Sequence, residues 1–274
     1  MQGFKLFVTR AILLGGLSLG AFANSALQAE QRTPLIVPQL LNLVKHKQCF
    51  DQAAEEYCAD LQIEFEATGV PWLDLALLAK LDMQQDAGQQ APSSIAEQLQ
   101  RIEQQADAWL SESYADIQEA RAAPEPYFIA YDYQDSLRFI AQRNQLASFK
   151  QFFYTYSGGA HGMHHTSYAL YDLDTRQQLL LPDLLQRFAE TKLLEKLREL
   201  YLEDYPDYAQ SWLSGSLAEQ TETLLTDNFV FDEQGLTFSY APYVLGPYSE
   251  GEIRLTLYYS QLQDILKPEY LLGN

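Results

Sequence analysis

Three of the four histidines in this 274-residue chain lie in one short segment, where they could contribute to a metal site. The segment places His161, His164 and His165 directly after the glycine pair Gly158 and Gly159. A hydrolytic zinc site needs two or three imidazoles that converge, whereas neighbouring residues of a strand point to opposite faces. A metal-assisted hydrolase that uses these three histidines is therefore the alternative hypothesis. The more economical interpretation is that the glycines allow a bulge or turn, where His161 forms a hydrogen bond.

Other residues capable of catalysis do not have the spacing that catalysis requires. The segment from Gly246 to Gly251, with Ser249 inside it, misses the Gly-x-Ser-x-Gly elbow of serine hydrolases by one residue, and no helical pattern follows it. Asp172 and Asp174 would share one strand face, but the second starts an ordinary turn sequence. The sequence contains neither a glycine-rich phosphate loop nor a dinucleotide fingerprint. We therefore predict no catalytic residue, no bound metal and no cofactor.

The charge balance excludes nucleic acid as a partner. The chain has 37 Asp and Glu against 18 Lys and Arg, a formal net charge of -19 and a pI of about 4.4. Nucleic-acid binding depends on basic side chains that displace counterions from phosphates, and no basic stripe is present. Hydrophobic residues make up 47% of the chain, which is enough for a substantial core.

The first 29 residues are typical of a secretory signal peptide. Lys5 and Arg10 precede an uncharged apolar run, and small residues follow, so that cleavage is expected after Ala23 or Ala29. Cleavage at either site leaves 16 basic against 37 acidic side chains, a net charge of -21. No other stretch is long and apolar enough to span a membrane. We therefore predict a periplasmic or secreted protein.

The two cysteines fit an oxidising compartment. Cys49 and Cys58 lie nine positions apart, and the chain has no third thiol. A single local disulfide is the simplest outcome, since no adjacent histidine or CxxC spacing favours metal binding by this pair.

The first part of the chain predicts a strand followed by two helices. A variable stretch that contains residues 39–47 comes first and has no assigned element. Residues 61–66 then alternate apolar and polar side chains, as a half-buried strand does. Residues 72–81 have apolar side chains at helical spacing. A second helix is expected from Ile95, because Ser94 and Glu97 form the pattern of a capping box.

After Pro124 the pattern changes to β-favouring aromatic segments. Strands are expected at residues 127–133, 136–141, 146–156, 166–173 and 178–181, helices at 182–205 and 216–227, and further strands at 228–231, 236–240 and 253–258. Gly235 is expected to have a positive φ in the hairpin turn that it ends.

This order of elements indicates an α+β protein, built from antiparallel sheet meanders with helix pairs packed on one face. Two related half-units are expected, an N-terminal domain at residues 30–140 and a C-terminal domain at 141–274. The sequence leaves open whether they share one sheet or form two lobes.

The second half resembles a known family. The segments 153–162, 171–175, 180–185, 231–238 and 240–251 occur in the same order in the RsiV-like extracellular domain family, domain of unknown function 3298. The resemblance spans residues 146–262, and the region before it resembles the companion 4163 family. The resemblance implies a surface α+β module with a binding function. In RsiV-like anti-sigma factors, this module is a receptor for lysozyme. In some cell-wall polysaccharide deacetylases, the same pair of domains precedes the catalytic domain.

These observations predict a non-catalytic binding module of the cell envelope. Its expected partner is a cationic protein such as lysozyme, which the negative charge would attract, or a peptidoglycan-type glycan. A purely structural envelope protein is a third possibility. Two loops carry the candidate contacts, for which tyrosines offer amphipathic surface. The candidate binding residues are Gly158, Gly159, His161, Pro242, Tyr243 and Tyr248.

Overall fold

The computed structural model describes residues 33–51, 54–83, 91–125, 127–213 and 216–271. The predicted signal peptide, with its cleavage after Ala23 or Ala29, lies outside the described residues.

Six strands form one sheet, in which each strand lies beside the strands that precede and follow it in the chain. They are β1 (Gln39–Asp51), β2 (Ala54–Ala67), β3 (Tyr131–Arg143), β4 (Leu146–Ser157), β5 (Met163–Asp172) and β6 (Gln177–Leu179). All neighbouring pairs are antiparallel except β2 and β3, which run parallel. The predicted α+β class is confirmed, and the one parallel pair is an addition to the expected meander.

The parallel pair exists because two helices return the chain to the same end of the sheet. They are α1 (Pro71–Leu78), which a 3₁₀ turn at Ala79–Leu81 extends, and α2 (Ile95–Ala122). The predicted start of α2 is confirmed, since the Ser94 hydroxyl accepts a hydrogen bond from the backbone N–H of Glu97. Both helices cover one face of the sheet, where Ile102 and Ala106 of α2 share a core with Ile63 and Phe65 of β2.

A second, three-stranded antiparallel sheet follows with its own core. Its strands are β7 (Phe229–Phe231), β8 (Gly235–Tyr240) and β9 (Ile253–Tyr258). Four helices precede this sheet in the chain and one follows it. They are α3 (Leu181–Leu184), α4 (Glu190–Asp204), α5 (Ala209–Trp212) and α6 (Leu217–Leu224), followed after β9 by α7 (Tyr259–Leu262). The longest, α4, buries Leu193, Leu197 and Tyr201 in the core that includes Leu255 of β9.

The structure differs from the predicted elements in three places. Residues 39–47 belong to the edge strand β1, whose alternation a register shift between Asn42 and Val44 interrupts. The strands expected at 127–133 and 136–141 are one continuous strand, β3. The helix expected at 182–205 is two helices, because Leu185 is extended and bridges Leu266, and Phe188 has a left-handed backbone (φ 66°).

The expectation for Gly235 is wrong. This glycine is not among the described residues with positive φ. A Cβ at this position would lie 1.9 Å from the backbone oxygen of Leu257, so the close approach of β8 and β9 requires glycine here.

The predicted disulfide is confirmed. Cys49 and Cys58 are directly opposite residues of β1 and β2, and their sulfur atoms are bonded. The bridge therefore fastens the edge strand to the sheet.

The predicted division into residues 30–140 and 141–274 falls inside β3. This strand pairs with β2 on one side and β4 on the other, so the six-stranded sheet is continuous across the division. The two domains stay a prediction.

Candidate functional site

The first predicted loop is the turn that joins β4 to β5. Gly158 and Gly159 have φ values of 85° and 93°, which side chains rarely allow, so the interpretation of this pair as a turn is confirmed. Tyr156 of β4 stabilises the turn, because its hydroxyl donates a hydrogen bond to the backbone oxygen of Gly159 at 3.0 Å. His161 follows on the exposed side of the turn.

The second predicted loop crosses from β8 to β9. Pro242 is buried, whereas Tyr243 is 47% exposed and has a left-handed backbone with φ 70°. The backbone N–H of Tyr243 donates to the oxygen of Gly246 at 3.1 Å, which closes the loop on itself. A 3₁₀ turn at Tyr248–Glu250 follows this loop. Its first residue, Tyr248, lies next to the turn between β4 and β5.

The structure brings the two loops together through their rings. The imidazole of His161 stacks on the ring of Tyr248, with centroids 3.8 Å apart and planes inclined by 17°. The ring of Tyr243 lies 5.7 Å from that of Tyr248 and 6.5 Å from that of His161. His164 meets the edge of Tyr248 at 5.8 Å. We call His161, His164, Tyr243 and Tyr248 the aromatic tip.

Hydrogen bonds to one backbone oxygen hold the tip in place. The Tyr248 hydroxyl donates to the oxygen of Gly162 at 2.8 Å, and Nδ1 of His161 lies 2.9 Å from the same oxygen. Because a carbonyl oxygen only accepts, Nδ1 of His161 must carry a proton. In the neutral imidazole this leaves Nε2 as an acceptor, which faces the Tyr243 hydroxyl at 3.4 Å. The expected hydrogen bond of His161 in this turn is confirmed.

Tyr154 of β4 supports the tip from below, a role that the sequence reasoning missed. Its ring packs so closely on Gly162 that an added Cβ would lie 2.5 Å from the ring. Burial raises the pKa of the Tyr154 hydroxyl, and the nearby Asp132 raises it further. The alternation of aromatic residues along β4 was the available signal, because it assigns Tyr154 and Tyr156 to one face.

The three histidines of the alternative hypothesis do not converge. His161 lies in the turn and His164 next to Tyr248, whereas His165 is the next residue of a strand and points to the opposite face. Among the described residues, no group of three or more His, Cys, Asp or Glu side chains could hold a metal ion.

The remaining candidates have ordinary structural roles. Ser249 is exposed in a 3₁₀ turn after Tyr248. Asp172 accepts hydrogen bonds from the backbone N–H groups of Asp174 and Thr175, which confirms the turn interpretation. None of the helices in the described part of the chain is long and apolar enough to cross a membrane.

Two family models match separate parts of the chain. The model described as "Protein of unknown function (DUF3298)" matches residues 179–260, and the model described as "Deacetylase PdaC" matches residues 76–164. His161 lies in the second match, and Tyr243 and Tyr248 lie in the first. The aromatic tip is therefore built from both matched segments. Neither match names an RsiV-like protein, so that part of the resemblance stays a prediction.

Two solved structures have a similar fold. A DUF3298 family member from Bacteroides fragilis is 18% identical, with a TM-score of 0.63 over 86% of this chain and 96% of that one. A DUF3298 family protein from Pseudomonas aeruginosa is 21% identical, with a TM-score of 0.61 over 88% and 99%. No curated protein sequence matches the chain. The chain thus combines a PdaC-type segment with a DUF3298 segment, on a fold that solved DUF3298 proteins share.

Proposed function

We propose that this protein is an extracellular module that binds a cell-wall-type glycan at the aromatic tip, without making or breaking bonds. The disulfide between Cys49 and Cys58, the predicted signal peptide and the two family matches support an extracellular location. The name of the PdaC family, whose model matches residues 76–164, refers to a deacetylase. The link to glycans is supported by the sequence resemblance to the domain pair that precedes the catalytic domain of some cell-wall polysaccharide deacetylases.

The stacked rings are the observation that carries the proposal. Sugar rings expose apolar C–H faces between polar hydroxyl edges, and tyrosine rings offer flat surface with a polar end at low entropic cost. Tyr243 is half exposed beside the stacked pair of His161 and Tyr248, so its ring is accessible to a sugar. The hydrogen bonds to Gly162 hold His161 and Tyr248 in place before a ligand arrives, which reduces the cost of ordering on binding.

The excess of acidic residues favours a second candidate partner. A net charge of -19 in the full chain attracts cationic proteins such as lysozyme and accelerates their association. This attraction is long-ranged and is screened by salt, whereas ring stacking is short-ranged and depends little on salt. Salt dependence therefore separates the two candidates.

Cosedimentation with insoluble peptidoglycan tests the proposal. We expect retention of the protein at moderate salt, and loss of at least about tenfold in affinity for Tyr243→Ala, because exposed aromatic anchors dominate such contacts. Phe188→Ala is the matched control, since Phe188 is also exposed, at 83%, and also has a left-handed backbone. Equal retention of the two variants, or no retention of the wild type, would contradict the proposal.

A parallel pull-down with lysozyme examines the second candidate. Retention that disappears between low and moderate salt and does not depend on Tyr243 would favour the cationic partner over the glycan.

A further inference from the structure

A cleft of about 430 Å³ lies on the face of the sheet opposite to the aromatic tip. Asp135 of β3, Gln151 of β4 and His165 of β5 line it from the sheet, and Lys80 lines it from the 3₁₀ turn after α1. Its size lies within the usual range for sites of small molecules. Because His164 and His165 are neighbours on β5, the tip and the cleft are separated by the thickness of one strand.

The carboxyl group of Asp135 is buried in this cleft. The residue is 4% exposed, and burial raises the pKa of its carboxyl from 3.8 to about 7. The amide of Gln151 donates to both carboxyl oxygens, at 3.0 and 2.9 Å, and the backbone N–H of Ser136 also donates to the carboxyl. Asp135 is therefore held by neutral donors and not by a cation.

The ammonium group of Lys80 is the cation of the same cleft. Burial lowers the pKa of this ammonium group, which is the direction expected where no nearby carboxylate stabilises the charge. Within the described ranges, neither an ion pair nor a hydrogen bond engages the Lys80 ammonium. The same Gln151 amide that holds Asp135 also donates to the backbone oxygen of Lys80 at 3.0 Å, so one side chain joins the two charged residues.

Asp82 also lines the cleft, but its carboxylate lies 3.5 Å from the Arg101 guanidinium and accepts a hydrogen bond from the Gln105 amide at 2.6 Å. Within the described residues, the Asp135 carboxyl and the Lys80 ammonium have no partner of opposite charge. With a pKa of about 7, the Asp135 carboxyl is partly ionised at pH 7, and a cationic ligand group beside it would favour the ionised form. Unpaired charges in a partly dehydrated site cost free energy, and a ligand that supplies both counter-charges would recover it. A ligand with a single charge would neutralise only one of the two groups.

We propose that this cleft binds a small zwitterion, an amino acid or a dipeptide. The ammonium group of the ligand faces Asp135, and its carboxylate faces Lys80. The rings of Tyr133 and Phe153 line the same cleft and supply apolar surface for the rest of the ligand.

Isothermal titration calorimetry at pH 7 with alanine and alanyl-alanine tests this proposal. N-acetyl-alanine and N-acetyl-alanyl-alanine lack the ammonium group, and the amides of alanine and of alanyl-alanine lack the carboxylate. We expect one of the two zwitterions to bind, and its singly blocked form to bind at least about tenfold more weakly, because hydrogen bonds between charged groups contribute most to such a site.

Three variants test whether the binding takes place in the cleft. Lys80→Met keeps the apolar stem of the side chain and removes the charge, so we expect about tenfold weaker binding or more. Lys150→Met is the matched control, since Lys150 is exposed on the opposite face of the sheet, and we expect unchanged binding. Asp135→Asn should weaken binding as well, and Lys80→Met decides the question if Asp135→Asn fails to fold.

Three results would overturn the proposal. The first is the absence of saturable binding of either zwitterion up to about 10 mM. The second is equal affinity for the zwitterion and its blocked forms. The third is binding that Lys80→Met and Lys150→Met leave equally strong.

Discussion

The two faces of β5 carry surfaces with opposite physical character. On one face, His164 joins the aromatic tip, in which His161 stacks on Tyr248 and both form hydrogen bonds to the backbone oxygen of Gly162. On the other face, His165 lines the cleft that contains the buried Asp135 and the half-buried Lys80, neither of which forms an ion pair in the described part of the chain. In the tip, His161 and Tyr248 already have hydrogen-bond partners before a ligand binds, so the tip contributes mainly aromatic contact surface. In the cleft, Asp135 and Lys80 lack partners of opposite charge, so the cleft contributes mainly electrostatic interactions.

This difference is possible because the two surfaces lie on opposite faces of the same strand. Alternate side chains of a strand point to opposite faces, so each face can be changed without rebuilding the other. The tip should respond to changes in ring shape and turn geometry. The cleft should respond to changes in charge and pH.

The largest expected effect concerns Asp135. Its carboxyl binds a proton more tightly in the folded protein than in the unfolded chain, because burial raises its pKa from 3.8 to about 7. The stabilisation from this proton is complete below about pH 4 and is lost as the pH rises through about 7. At about 1.4 kcal/mol per pKa unit, the free energy of unfolding should fall by up to about 4 kcal/mol over this range.

Urea unfolding of wild type and Asp135→Asn between pH 4 and 8 measures this effect. The variant should lack most of the decline. Asp107→Asn, which removes an exposed carboxylate from α2, should keep the decline of the wild type. Parallel curves for wild type and Asp135→Asn would show that the cleft is not the electrostatic surface described above.

A smaller effect is expected from Gly159→Ala in the turn of the tip. A Cβ would meet no atom within 4 Å, so the cost arises from the backbone alone, at φ 93°. We expect a loss of about 1–2 kcal/mol in the free energy of unfolding and weaker retention on peptidoglycan.

The matched control is Gly69→Ala, at φ 75° between β2 and α1, where a Cβ also meets no atom within 4 Å. This variant should lose similar stability and keep full retention on peptidoglycan. If both variants lose retention equally, the geometry of the turn is not specific to the tip.

The smallest expected effect concerns the stacked pair in the tip. His161→Leu removes the imidazole that stacks on Tyr248 and its bond to Gly162. Because an aromatic pair contributes about 0.5–1.5 kcal/mol, affinity for peptidoglycan should fall by about tenfold or less. Binding of alanyl-alanine to the cleft should not change, and a parallel loss of both would contradict the independence of the two faces.

The sequence predicted the tip better than the cleft for a physical reason. Gly158, Gly159, Tyr243 and Tyr248 lie in loops whose glycines, prolines and tyrosines are local signals of turns and contact surface. Only the tertiary fold brings the two loops together, but the sequence predicted each loop separately as a candidate contact surface. Asp135 has no such signal, because its burial depends on the pairing of β3 with β4 and on the position of Lys80 after α1.

The fold was predictable where one local signal dominates. The capping box at Ser94 located the start of α2, and strict alternation located β9. Residues 39–47 were not recognised as a strand, because a register shift interrupts their alternation. The helix predicted across Phe188 failed because an apolar spacing does not reveal a left-handed residue within it.

The central claim is that the face of β5 with His164 binds glycan while the face with His165 does not. Nuclear magnetic resonance of the histidine rings tests it during titration with a tetramer of β-1,4-linked N-acetylglucosamine, with His46 in the edge strand β1 as a remote reference. We predict saturable shifts of the His161 and His164 signals and unchanged signals from His165 and His46. Unchanged His161 and His164 signals, or a shift of His165 together with them, would contradict the claim.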